Sequence, residues 1–369
     1  MMSRGWAEDN GATVPVRQGT QAENFATRQA NGTGPFRVVA RNPDVRSTFA
    51  VHERWWDRRL HNVDRVTMTP IAADATRMAA LLAGQVDMAF PVPPQDVARI
   101  GAGPATGVVV GPEIRTIFLG LDQFRDELLY TDVKGKNPFK DRRVRLAFYQ
   151  AIDIDAIRTR VMRDQSIPSA MMIGPGVAGF DPSIARYPFD PEAARRLLAE
   201  AGYANGFRVT LDCPNDRYVN DEQICQALVP MLARIGVRLD VNALPRAPLF
   251  AKLLPPKRDT SFYLLGWVPG SYDSHNPLFA LHTCVTDRTG PFNIGGYCNP
   301  ALDQLTGQML GEMDVAKRAK LVADAWRIAI DAVAYIPLHQ QRQAWGVRAG
   351  VRLAQRADGV FDWRHVRLP

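Results

Sequence analysis

Short runs that alternate apolar and polar residues recur along this chain, and stretches with helical spacing separate them. That alternation is the strongest constraint on the fold. The pattern predicts strands at 36–39, 49–54 and 63–70. In the last of these Val63, Arg65, Thr67 and Thr69 fall on one side, and Asp64, Val66 and Met68 on the other. Residues 73–83 have helical spacing, with Asp74 as the cap, Met78, Leu81 and Leu82 on one face, and Gly84 as the stop. A short buried strand at 86–90, one or two helical turns at 95–100 and a strand at 108–110 follow. Strands interleaved with helices predict an α/β domain.

The pattern resumes further on. Strands are predicted at 116–121, 207–211, 237–241, 262–267, 335–340 and 343–347. Helical segments are predicted at 142–161, divided near Asp153, and at 221–234, 247–254 and 315–333. Asp190-Pro191 and Asn299-Pro300 each read as a helix start, since the polar side chain caps and proline suits the first turn. Pro230 falls inside the predicted helix 221–234 and should kink it. A second α/β unit thus occupies about 116–335. A chain of 369 residues is long enough for two or three domains.

Composition narrows the function classes. Hydrophobic residues at 46% and charged residues at 22% fit a globular chain and exclude a disordered one. No apolar run reaches the length of a membrane-spanning helix. The net charge is +7, modest for this length. The densest basic stretch, Lys140-Asp-Arg-Arg-Val-Arg145, reads as a solvated helix face, so no nucleic-acid partner is expected. The first ten residues are polar and mixed, without the apolar core of an export signal. Four cysteines form two close pairs, Cys213 with Cys225 and Cys284 with Cys298. Two disulfides fit the even count, and four buried thiols fit it too. There is no CxxC and no nearby histidine cluster, so neither zinc nor any other metal or cofactor is expected.

Motifs of catalysis are missing. There is no GxxxxGK[ST], no HExxH and no GxSxG. Asp273, Ser274 and His275 are consecutive, so in extended chain their side chains diverge rather than form a triad. An enzyme is not expected.

Recognition groups are more plentiful. The segment Leu264-Leu-Gly-Trp-Val-Pro-Gly-Ser-Tyr-Asp-Ser-His-Asn276 is a strand running into a loop with Trp267, Tyr272 and Asp273. Ligands in α/β folds bind beyond the carboxyl ends of strands. Simple packing of Trp267 and Tyr272 is the competing reading. The segment Asp212-Cys-Pro-Asn-Asp-Arg-Tyr-Val-Asn-Asp221 joins a strand end to a helix start, where Arg217 adds charge to an anion-attracting terminus. A loop locked by its own Asn and Asp side chains fits the same residues.

Six motifs, taken in order, resemble the dipeptide, oligopeptide and nickel-binding family of bacterial solute-binding proteins. They are Asn31-Gly-Thr-Gly-Pro-Phe36, Ala75-Thr-Arg-Met-Ala-Ala-Leu-Leu-Ala-Gly-Gln-Val-Asp87, Pro138-Phe-Lys-Asp-Arg-Arg-Val-Arg-Leu-Ala-Phe148, Ala151-Ile-Asp-Ile-Asp155, Asp190-Pro191 with Leu197-Leu-Ala-Glu-Ala-Gly202, and Leu265-Gly-Trp267. The resemblance implies a two-lobed periplasmic-binding-protein-like α/β fold with a ligand cleft between the lobes. The first lobe would be 1–115 completed by 341–369, and the second 116–340. Members of this family carry a longer N-terminal part, so the chain is expected to be N-terminally incomplete, with an exposed sheet edge that favours aggregation.

The implied function is the substrate-binding component of an ABC importer in the periplasm. It would be a monomer that captures a peptide or similar small solute and delivers it to membrane permease subunits. A hydrolase on an α/β scaffold and a non-functional truncated product are the alternatives. Trp267 matches the family's tryptophan. The family's ammonium-binding aspartate falls at Gly270, and Asp273 is the nearest carboxylate that can replace it. Trp267, Tyr272 and Asp273 form the expected contact set, with Arg115 at the crossover between lobes and Arg217 for anionic groups. Relatives that bind peptides have a disulfide like Cys284–Cys298. Cys213 and Cys225 are the second candidate disulfide, with the helix that starts at Asp221 standing between them.

Overall fold

The computed structural model of the protein describes residues 3–14, 16 and 24–369. They form two compact units. The first holds the described residues up to Gly111 together with Ala344–Arg356 and Val360–Pro369, and the second holds Pro112–Gln343 with Ala357–Gly359.

In the first unit, β1 (Phe36–Asn42), β2 (Arg46–Val51) and β3 (Arg65–Met68) make an antiparallel sheet in sequence order. Most of its side chains are exposed or half-buried. Helix Asp74–Leu82 turns Met78 and Leu81 inward, against Ala89, Val92, Ile100 and Ala344. Asp74 is not its cap. It sits inside the first turn and pairs with Arg77, whose guanidinium also holds the carbonyls of Ile71 and Pro91. Strand β4 (Met88–Ala89) pairs with Val347 and Gly346.

Two predicted strands are one: β5 runs unbroken over Thr106–Leu121. Gly111-Pro112 looks like a break in sequence but is extended chain. The small β6 (Ser166–Pro168) comes next. In the second unit, β7 (Arg208–Pro214), β8 (Arg238–Leu244) and β9 (Phe262–Trp267) continue the sheet. The final strand, β10 (Ile336–Arg348), also merges two predicted strands. The order is β10-β5-β9-β7-β8, with β6 on β10. Strand β7 is parallel to β8 and β9, while β5 and β9 are antiparallel.

Period two divides this sheet between two cores. Ile117, Leu119 and Leu121 of β5, with Phe262 and Leu264 of β9, meet helices Arg142–Ala151 and Asp221–Ala233 on one side. Phe118, Tyr263 and Leu265 face Leu278, Leu302 and Trp326 on the other. Each fully buried large side chain stabilises the unit by roughly 1.5–3 kcal/mol.

Helix caps follow the sequence. Asp141, Asp190, Asn299 and Asp314 each accept a first-turn N–H. Asp153 divides the 142–161 segment by capping a new helix. The basic stretch does not behave as a solvated face throughout. Arg142 and Arg143 are exposed, but Arg145 is buried and gives five hydrogen bonds to the carbonyls of Phe139, Lys140, Ala332 and Val333.

Both cysteine pairs are bonded, Cys284 to Cys298 with a Cα separation of 4.3 Å and Cys213 to Cys225 with 6.5 Å. The helix from Asp221 does not carry Cys225 off. The residue lies in the first turns, whose buried side faces the end of β7.

Candidate functional site

The register of β5 on β9 sets Thr116 opposite Trp267 and Ile117 opposite Gly266. Arg115 is therefore a neighbour of the Gly-Trp pair. A Cβ on Gly266 would lie 3.0 Å from Arg115 Cδ and 2.9 Å from Tyr218 Cε1, so only glycine lets these side chains close over the strand. The Tyr218 hydroxyl reaches the Gly266 carbonyl at 3.4 Å.

Tyr218 is the centre of the cluster. The guanidinium of Arg115 stands 5.6 Å from its ring centroid and that of Arg217 stands 5.1 Å away. The structure thus unites two arginines that lie a hundred residues apart in sequence. Among the described residues, the Arg217 guanidinium has no hydrogen bond or ion pair, and Arg115 uses only Nε, at 3.0 Å from Glu113 Oε1. Burial lowers the Arg217 pKa, and the charges of Arg115 and Arg246 lower it further, while Tyr218 and Glu113 oppose the shift. Burial raises the Tyr218 pKa, which keeps its hydroxyl protonated.

Glu113 is buried, with its other oxygen accepting the Gln341 amide at 2.5 Å. A Cβ on Gly359 would come within 2.9 Å of this carboxylate, which closes it off on a further side. The loop before helix Asp221–Ala233 is locked by its own aspartate. Asp221 accepts the N–H groups of Arg217, Tyr218 and Glu222, so it occupies the helix N-terminus that was a candidate anion site. Burial nevertheless raises its pKa.

The three residues expected around the Gly-Trp loop are placed differently. The Trp267 ring is half-buried, packs 5.1 Å from Phe292 and donates Nε1–H to Asn276 Oδ1 at 2.8 Å. Tyr272 is exposed and left-handed at φ 53°, and its carbonyl accepts the Ala178 N–H. Asp273 forms a fork with Arg318 at 2.8 and 2.9 Å and takes the His275 N–H at 2.8 Å. Its burial raises its pKa, but the Arg318 fork and the His275 bond together hold it below the usual carboxylate value. Gly270 has open space around it. Ser274 gives its hydroxyl proton to the Ala178 carbonyl and accepts from Trp326 Nε1.

A separate small space lies among Tyr149, Met171, Met172, His282, Trp326 and Tyr335. It holds about one water molecule. The Tyr335 hydroxyl is already bonded to the Leu281 carbonyl.

The family model for bacterial extracellular solute-binding proteins, family 5 Middle, matches residues 10–288. The chain belongs to this family. Its fold is that of the two-lobed periplasmic binding proteins. The periplasmic binding protein DppA from Helicobacter pylori in complex with peptide STSA superposes with a TM-score of 0.82, at 21% identity over 100% of this chain and 68% of that one. The dipeptide binding protein from a Pseudoalteromonas species in complex with Met-Leu gives 0.81, at 19% identity over 100% and 69%. Among curated relatives, the glutathione-binding protein GsiB of Escherichia coli is 26% identical over 83% of this chain. The chain spans 58% of that relative's length.

Family membership accords with the six motifs. Sequence reasoning named Arg115, Arg217 and Trp267 but missed Tyr218, Glu113, Gly266 and Gln341. Tyr218 carried a legible signal, an aromatic residue next to Arg217 at the end of β7. Glu113 and Gln341 carried none, because they are 228 residues apart.

Proposed function

We propose that this protein is the substrate-binding component of an ABC importer, and that it binds an acidic peptide or similar solute. The observation that carries this reading is the pair of under-bonded guanidiniums on Tyr218, beside Gly266 and Trp267. Guanidinium groups with free N–H donors suit a bidentate carboxylate. The two units are the lobes, with Arg115, Arg217 and Tyr218 in the one that holds Pro112–Gln343, and a permease in the membrane receives the solute. The protein works as a monomer in the periplasm, where two disulfides suit an oxidising compartment. The named solute of the curated relative, glutathione, is a peptide with two carboxylates, which supports the acidic class. A hydrolase is not favoured, since the Ser274 hydroxyl is engaged on both sides.

Calorimetric titration with glutathione and with a neutral peptide amide tests this reading. Glutathione is expected to bind, and Arg217→Gln to weaken it by about tenfold, equivalent to ~1.4 kcal/mol. Equal binding of the neutral amide, or covalent labelling by a fluorophosphonate, would overturn the reading.

A further inference from the structure

The charges around Tyr218 do not balance, and the imbalance specifies the ligand further. Two cationic groups, Arg115 and Arg217, border the ring. Each carboxylate on the surrounding elements is already engaged. Glu113 spends one oxygen on Arg115 and the other on Gln341, and Gly359 closes over it. Asp221 spends its oxygens on three backbone N–H groups. Asp212 at the end of β7 is fully buried on Lys252, Asn242 and Thr260. Asp273 is forked to Arg318. Asp216 alone is exposed, and it accepts the Arg246 N–H at 2.6 Å.

A ligand ammonium placed here meets two guanidiniums and no unspent buried carboxylate. Like charges at close range repel, and more strongly at the effective dielectric of a protein surface than in water. A neutral N–H donor meets a different situation. Gln341 Oε1 is buried, and it has no hydrogen-bond partner among the described residues. An orphaned amide oxygen beside the Glu113–Arg115 pair wants a neutral donor such as a ligand amide.

We propose that this face takes an amine-free organic acid, such as an N-acylated peptide, with its carboxylate on Arg115 and Arg217 and an amide N–H toward Gln341. The proposal rests on the solute-binding reading and narrows its substrate class. It departs from any zwitterionic peptide as the preferred ligand.

The test is calorimetric titration of the full chain with trialanine, N-acetyl-trialanine, trialanine amide and glutarate. N-acetyl-trialanine or glutarate is expected to bind at least about tenfold tighter than trialanine. Trialanine amide is expected to be the weakest. Trialanine binding as tightly as its acetylated form overturns the proposal and leaves the solute-binding reading intact. Failure of all four to bind overturns the proposal, and the glutathione titration decides the solute-binding reading separately. Arg217→Gln, checked by an unchanged melting curve, is expected to remove most of the preference for the acetylated form. A preference that survives this substitution also overturns the proposal.

Discussion

Replacing Gly266 by alanine tests whether the site depends on a strand with no side chain at that point. The new Cβ would stand 2.8 Å from Ile117 Cδ1, 2.9 Å from Tyr218 Cε1 and 3.0 Å from Arg115 Cδ. Comfortable carbon contacts are about 3.5–4.0 Å, so each neighbour must retreat by roughly 0.5–1 Å. Ile117 is fully buried in the core and has little room to yield. Tyr218 and Arg115 must therefore take up much of the shift, and they belong to the proposed site. Overpacking of this kind costs about 1–3 kcal/mol. Loss of glycine's freedom in the unfolded chain returns about 0.4–1 kcal/mol. The net is ~1–2 kcal/mol, or a fall in Tm of roughly 2–8 °C for a unit of this size. Binding should weaken by about tenfold as Arg115 and Tyr218 are pushed from position.

Thermal unfolding and calorimetric titration with glutathione read the two effects. Ile117→Val separates them, since it removes the atom nearest the new methyl group. The double substitution Gly266→Ala with Ile117→Val should be less destabilised than the sum of the singles, because the two residues touch. Its affinity should stay low, because the contacts with Tyr218 and Arg115 remain. Unchanged affinity in Gly266→Ala, or strict additivity in the double mutant, would refute the packing argument.

Three further outcomes are expected. Arg145→Met strips the donors from four carbonyls, those of Phe139 and Val333 buried and those of Lys140 and Ala332 part-buried, and should cost about 3 kcal/mol by chemical denaturation, whereas exposed Arg143→Met should cost under about 1 kcal/mol. Asp273→Ala should lower Tm at neutral pH and leave affinity of the folded protein unchanged, since Arg318 holds the carboxylate. The Asp273 pKa is depressed in the fold, so its stabilisation is present above the ordinary carboxylate value and lost as pH falls through the folded value. The Tm difference between wild type and Asp273→Ala should therefore shrink in acid. Replacing Cys284 and Cys298 together by serine opens a 14-residue separation and should cost about 3 kcal/mol, seen as a lower Tm that reducing agent does not lower further at that site.

The α/β class and most helix starts were legible because they rest on local physics. A cap needs only an Asp or Asn and the N–H groups just after it, as at Asp141, Asp190 and Asn299. Strand β9 was legible at both ends, because period two and its apolar run agree. Strands β5 and β10 each looked like two strands. Their middles hold Gly111, Pro112 and Glu113, and Gln341, Arg342 and Gln343, which locally suggest exposed loops. The two segments satisfy each other through the bond from Gln341 to Glu113, which no local window contains. Arg145 misled for the same reason. Its partners at Ala332 and Val333 arrive from almost two hundred residues away.

The candidate site shows the same divide in terms of charge. Which side chains carry charge is written in the sequence, but which charges are already spent is not. Asp273 looked available beside Trp267, yet Arg318, forty-five residues on, neutralises it. Arg217 adds charge beside a helix start, and Asp221 holds its loop through backbone N–H groups, which leaves the guanidinium uncommitted. Glu113 carried no signal in the sequence, and it is sealed between Arg115, Gln341 and Gly359. The Asp273 assignment reverses the one that residue type alone suggests, and the other two leave the arginines as the available charges. Together they convert a loop that seemed to offer a carboxylate to a cation into a face that offers guanidiniums to an anion. The family supplies the fold, and this redistribution of partners is what supports the proposed acidic ligand.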